Sequence, residues 1–195
     1  YFLSFQSRFP YHHRLSSLEV AIHRRQIAGL LTQFRFGRNL VAPVITIDQS
    51  EGHYGLVTKY INGDIIKNRS EVTDFLQEVT SFFAEIGLSV WQVSPLNPHA
   101  YTNLIRSSSN ELTIIDLESA VATPFPAKGQ FRSSWKNGTI PVFDDIDFWK
   151  LRRYVENHHA DLEMALGVSQ TAKLLETMEL GERQLAIWKE SEFRF

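Results

Sequence analysis

The stretch Asn103–Asp116, NLIRSSSNELTIID, reads as two short strands, NLIR and ELTIID, joined by the polar turn SSSN. β-branched and apolar residues favour the strands, and serine and asparagine favour the turn. The pairing puts an amide, Asn103, near the start of the first strand and a carboxylate, Asp116, at the end of the second. An aspartate oxygen is a strong ligand for a hard divalent ion, and an asparagine carbonyl complements it without adding charge. Convergence of the two would make a phosphate-handling site. The alternative is local: Asn103 caps a turn, and Asp116 pairs with a nearby arginine or with backbone amides.

Working outward, the preceding segment VWQVSPLNPHAYTN carries Pro95 and Pro98, which exclude an ordinary helix across the junction. LSVWQVSP is read as strand or extended loop. Upstream of it Val72, Phe75, Leu76, Val79, Phe82, Phe83 and Ile86 form a helical stripe closed by Gly87, and Asn68 with Glu71 has capping-box spacing at its start. Leu18, Ile22, Ile27, Leu30 and Leu31 predict a helix over about Leu15–Phe34 with Gly37 as its stop. VAPVITI and GLVTKYI then predict a hairpin with DQSEGHYG as its turn, followed by the tight connection YINGD. Downstream, VATPFPAKGQ leads into a loop. FDDIDFWKLRRYVENHHADLEMAL predicts one bent helix or two, and SQTAKLLETM and ERQLAIWKE predict two further helices separated by Gly181.

The 195 residues can bury a real core, and a hydrophobic content of 43% argues against wholesale disorder. A net charge of -2 without an extended basic tract gives no signal for nucleic-acid binding. The absence of cysteine excludes disulfides, thiol nucleophiles and thiolate metal sites, and is compatible with the cytoplasmic location we expect. No apolar run reaches the length of a membrane span. YFLSFQSRFPYHHR lacks a signal-peptide pattern, and because the sequence begins at Tyr1 rather than Met, motifs absent from its start are not taken as absent from the parent protein.

The order of helix, hairpin, helix, proline-containing loop, paired strands and LTIIDLESA resembles the protein-kinase-like superfamily, especially its aminoglycoside and choline phosphotransferase branch. The resemblance runs from about Glu19 to Ala120. It implies an α+β, reduced kinase-like fold: residues 1–63 as a shortened N-terminal lobe and hinge, and 64–195 as a mainly helical C-terminal lobe with a short strand hairpin. It implies ATP and Mg2+ as cofactors, with Asp116 as the metal-chelating aspartate and Asn103 as the catalytic-loop asparagine. Val57, Lys59, Tyr60 and Ile61 would line the adenine pocket and hinge. An equally simple account makes Leu56 and Val57 core residues and Asn62-Gly63 a turn. Glu19, or Gln26 in a shifted register, would be the helix residue that pairs with a phosphate-binding lysine.

The chain departs from the pattern in two places. Counting back from Asn103 puts Pro98 where the family has its catalytic aspartate and Leu96 where it has histidine, and proline accepts no proton. The first lysine is Lys59, so no phosphate-binding lysine precedes the hinge. His99 follows Pro98 and has a near-neutral reference pKa suited to proton transfer, although a loop histidine bonded to backbone is the plainer reading. Asn97 could position a hydroxyl or phosphate, and Arg8 could supply a positive charge. The paired His12-His13 and His158-His159 have poor spacing for a metal. Arg24-Arg25 and Arg152-Arg153 read as solvated helix faces that could also meet acidic partners. Asp144, Asp145 and Asp147 read as the start of a helix.

The expectation is therefore a degenerate kinase, a pseudokinase that keeps nucleotide and magnesium binding and has a regulatory or protein-interaction role. An active ATP-dependent phosphotransferase acting on a hydroxyl-bearing small molecule or lipid headgroup is the first alternative. A nucleotide-independent interaction module is the second.

Overall fold

The computed structural model describes residues 2–3, 15–50, 53–117 and 146–192. Helix α1, Leu15–Phe36, ends where Gly37 adopts φ +72°, a left-handed conformation suited to glycine. Strand β1 (Phe2–Leu3) pairs with β3 (His53–Thr58), which pairs in turn with β2 (Val44–Ser50), giving the order β1-β3-β2. The β2–β3 ladder continues through Asp48↔Gly55, Gln49↔Tyr54 and Ser50↔His53, so most of DQSEGHYG is strand rather than turn. Backbone pairing does not depend on side-chain polarity, and an exposed hairpin end can carry polar residues and stay in register. β2 starts only after Pro43, whose ring nitrogen has no hydrogen to give the ladder. β3 stops at Thr58, and Lys59 belongs to the following connection.

A second sheet is built from β4 (Asp64–Ile65), β5 (Leu104–Arg106) and β6 (Leu112–Ile114), in that order. Here the two strands read from NLIR and ELTIID are paired as expected, with Leu104↔Ile114, Ile105↔Thr113 and Arg106↔Leu112 in register. Asn110 in the intervening turn has φ 65°, which asparagine tolerates better than most residues. The segment after α1 ties this sheet to the first: Ile114 N–H donates to Leu40 O at 2.7 Å and Ala42 N–H to Ile114 O at 2.9 Å.

Helix α2, Thr73–Glu85, buries Leu76, Val79, Phe82 and Phe83, as the stripe predicts. It begins four residues later than the capping box suggested, at Thr73 with Val72 in the cap position. Asn68 caps a separate 3-10 turn, Arg69–Glu71, by accepting Ser70 N–H at 3.1 Å, and Glu71 pairs with Arg106 instead of returning to the cap. α3 (Phe148–Asn157), α4 (His159–Leu166) and α5 (Val168–Glu192) follow. The two-helix alternative thus holds for residues 148–166, with Asp147 Oδ1 capping α3 by accepting Lys150 N–H at 3.0 Å.

The expected break at Gly181 is absent, and α5 runs straight through it. A Cβ there would lie 3.1 Å from His23 Cβ, so the glycine permits close approach of α1 and α5. Helix context supplied by tertiary packing outweighs its weak helix preference.

The result is a mixed α+β architecture, with small sheets toward the N-terminus and a mainly helical C-terminal region. Its main core joins Val20, Ile27 and Leu31 of α1 to Leu40, to α2, to Leu104 and Ile114, and to Leu151, Leu162, Leu174 and Leu185 of the last three helices. Phe82 is a junction, edge-on to Phe36 at 5.5 Å and to Tyr154 at 6.1 Å, so one side chain joins α1, α2 and α3. Leu18 and Ala21 with Leu56 make a smaller cluster beneath the first sheet. Among the described residues no helix is long and apolar enough to cross a membrane. VATPFPAKGQ, Arg8, His12, His13, Glu118, Asp144 and Asp145 lie outside the described residues.

Candidate functional site

Asn103 closes a 3-10 turn, Ala100–Asn103, that delivers the chain into β5. Buried Ala100 and Leu104 anchor the two ends of the turn. The backbone carbonyl of Asn103 accepts Ile115 N–H at 2.9 Å, which continues the β5–β6 pairing to the residue before Asp116. The start of one strand and the exit of the other are thus fixed side by side, as the reading of 103–116 required.

The side chains are joined by a residue that the sequence reading did not single out. Gln92 Nε2 donates to Asp116 Oδ2 at 3.1 Å, and Gln92 Oε1 accepts from Asn103 Nδ2 at 3.3 Å. Asn103 Nδ2 also donates to the Gln92 backbone carbonyl at 2.8 Å. One amide therefore bridges the other two polar groups, donating to the carboxylate and accepting from the second amide, as its two ends allow. A glutamine between apolar Val90 and Val93 carries no recognisable signal in a single sequence, because its role is set by a partner 24 residues away.

Asn97 is 6% exposed and serves the loop itself. Its Nδ2 donates to Trp91 O at 3.3 Å and its Oδ1 accepts His99 N–H at 3.0 Å. His99 and Pro98 are exposed. The His99 carbonyl accepts both the Thr102 N–H at 3.0 Å and the Thr102 hydroxyl at 2.8 Å, so its backbone starts the 3-10 turn. The side chain that donates to Asp116 Oδ2 is that of Gln92, at the start of this loop.

Val57 lies within β3, opposite Thr46, above the cluster that buries Leu56. Lys59 is exposed and its N–H donates to Pro43 O at 2.8 Å. Tyr60 is 63% exposed, and Ile61 is half-buried. These residues occupy the end of β3 and the connection to β4. An open cleft of about 600 Å³ lies beyond that connection, lined by residues 63–67 and the Glu71–Arg106 ion pair at 2.9 Å. Arg106 is at the opposite end of β5 from Asn103.

The arginine pair of α1 is not a solvated face. Arg24 is 0% and Arg25 2% exposed. Arg24 Nη1 donates to Leu117 O at 2.6 Å and its Nη2 to Ser89 O. Arg25 Nη1 donates to Ala42 O at 3.0 Å and its Nη2 to Ile115 O at 2.9 Å. Their placement was legible in principle, since Arg24 falls in phase with Val20, Ile27 and Leu31, and Arg25 with Ala21 and Ala28. Glu19 accepts from Gln184 Nε2 of α5, a partner outside the Asp116 cluster.

By contrast Arg152 pairs with Glu182 at the surface, and Arg153 lies over the Trp149 ring at 5.5 Å. His158 is held by packing: it stacks on Tyr154 at 4.3 Å, and its Nδ1 lies 2.8 Å from Tyr154 O. Burial lowers the pKa of His23 below its ordinary value, against the opposing pull of Glu19 and a hydrogen bond with Gln26. Burial also raises the pKa of Tyr154, reinforced by Glu85.

Among the described residues, the donor set at Asp116 is one carboxylate with neutral amides. Among the described residues no group of three His, Cys, Asp or Glu side chains is placed to hold a metal ion. That set fits Mg2+ arriving with a nucleotide, since magnesium in such sites keeps water and phosphate oxygens as most of its ligands and needs only one or two protein carboxylates. Comparison with protein-family models, with curated proteins and with solved structures finds no match.

Proposed function

We propose that this chain is a catalytically reduced, kinase-like protein that binds a magnesium nucleotide at Asn103 and Asp116 and acts through regulatory protein contacts. The observation that supports this reading is the Gln92 bridge, which draws the two predicted ligand side chains into one hydrogen-bonded group at adjoining strand ends. Bound there, Mg2+ would neutralise phosphate charge, with Asp116 as its anionic protein ligand and the Asn103 carbonyl oxygen as a neutral one.

The loop argues against efficient phosphotransfer. A general base must accept a proton from the incoming hydroxyl and orient it. Gln92 and Asn97 are neutral amides that cannot take that proton, Pro98 has no such group, and Asn97 is committed to the loop backbone, which leaves exposed His99 in place of a carboxylate base.

Thermal denaturation with Mg-ATP, paired with an assay for ADP release, tests the reading. Nucleotide at one hundred times its Kd should stabilise the folded chain by about 2.7 kcal/mol. Asp116→Ala and Asn103→Ala should abolish or sharply reduce that gain, and ADP release should stay at background. Mg2+-dependent ADP release that vanishes in Asp116→Ala would replace this reading with an active phosphotransferase on a hydroxyl substrate. No stabilisation at millimolar nucleotide would leave an interaction module that works without nucleotide.

A further inference from the structure

The two guanidinium groups of α1 hold the backbone on both sides of Asp116. Arg25 takes the carbonyl of Ile115 and Arg24 that of Leu117, the residues immediately before and after the carboxylate. Each group also binds a second, remote carbonyl, Ala42 for Arg25 and Ser89 for Arg24. Adjacent helix positions point about 100° apart, so one turn of α1 can reach both the segment before β2 and the segment after α2 while gripping the strand exit between them. A planar guanidinium carries donors in a fixed fork and suits two carbonyls at once, whereas a lysine ammonium is a point charge on a flexible stem. Burying two cations is costly, and the cost is offset only where their donors meet acceptors in good geometry. The cost is justified where the fork sets a geometry that apolar packing cannot set.

We infer that Arg24 and Arg25 are positioning residues for the candidate site: they fix the strand exit so that the Asp116 carboxylate meets Gln92 and, through it, Asn103. This rests on reading Asn103 and Asp116 as one site, but not on a nucleotide being its ligand. Replacing a fork by a lysine should loosen the exit and release the Gln92 bridge while the core remains folded.

The test uses NMR on the labelled full chain and reads the Gln92 side-chain amide, with Gln92→Ala identifying its signals. In the wild-type protein those protons should exchange at least about tenfold more slowly than those of exposed Gln77, because they are engaged in a native hydrogen bond. Arg24→Lys and Arg25→Lys should each erase most of that protection and shift the Gln92 amide signals. The backbone signals of α2, remote in sequence from both arginines, should keep their positions. Folded variants with unchanged Gln92 protection would overturn the inference. Should the variants fail to fold, the wild-type guanidinium signals decide it. Distinct Nη resonances coupled across hydrogen bonds to the Ile115 and Leu117 carbonyl carbons support the clamp, and freely rotating guanidinium groups refute it. Failure of nucleotide binding changes none of these readouts.

Discussion

Replacing Arg25 by methionine is the sharpest stability test of the packing beneath the site. The side chain is 2% exposed, and its loss leaves two carbonyls, Ala42 O and Ile115 O, without the donors that approach them at 3.0 and 2.9 Å. A buried polar group deprived of its partner costs about 1–3 kcal/mol, so the two carbonyls together set a loss of about 2–6 kcal/mol. Relief from burying a charge works the other way, and methionine fills much of the same volume. The net expectation is a loss of about 2–4 kcal/mol, a large share of the roughly 5–15 kcal/mol that holds a typical domain together. Urea unfolding followed by circular dichroism measures it as a fall in midpoint at unchanged slope. Arg152→Met serves as the control, because the Arg152–Glu182 pair is exposed and such pairs contribute about 0–1 kcal/mol. A loss at Arg25 no greater than at Arg152 would refute the argument that Arg25 satisfies buried carbonyls.

Other perturbations probe separate joints of the structure. Gly181→Leu should cost about 1–3 kcal/mol in the same urea assay, because even a Cβ at that site lies 3.1 Å from His23 Cβ; a neutral effect would mean that α1 and α5 do not pack closely there. Asp147→Ala removes the side-chain cap of α3 and should cost about 0.5–2 kcal/mol, with Asp147→Asn retaining most of the stability. Gly63→Ala should loosen β4 from β5, since its Cβ would lie 2.3 Å from Arg106 O, and faster amide exchange at Ile65 is the readout. For His23 the folded pKa lies below the ordinary 6.5, so above that value both folded and unfolded states are neutral there and its contribution is constant. As pH falls through 6.5 the unfolded chain takes the proton first, and stability declines until the folded pKa is passed. His23→Gln should flatten that part of the urea midpoint against pH, and an unchanged slope would assign it to other groups.

Periodicity made the apolar elements legible. The α2 stripe, the Gly37 stop of α1 and the pairing of NLIR with ELTIID all follow from local pattern, because one buried face imposes a repeat on the sequence. The errors come from residues whose surroundings override their usual preference. Asp48 and Gln49 suggest a turn but extend a hairpin, and Gly181 suggests a break but allows two helices to touch. Arg24 and Arg25 suggest solvent by their charge, although their phase on α1 already pointed inward. At the site, Asn103 and Asp116 were visible because strand pairing joins their neighbours. Gln92 was not, because its position depends on a loop whose length and turns follow no repeat.

The most direct test of the central claim is to add Mn2+ with ADP to the labelled protein and map which NMR signals the paramagnetic ion broadens. The account predicts loss of signal centred on Gln92, Asn103 and Asp116, with exposed positions of α4 such as Met164 unaffected and the whole pattern abolished in Asp116→Ala. Broadening centred elsewhere on the chain, or none at millimolar nucleotide, would contradict it.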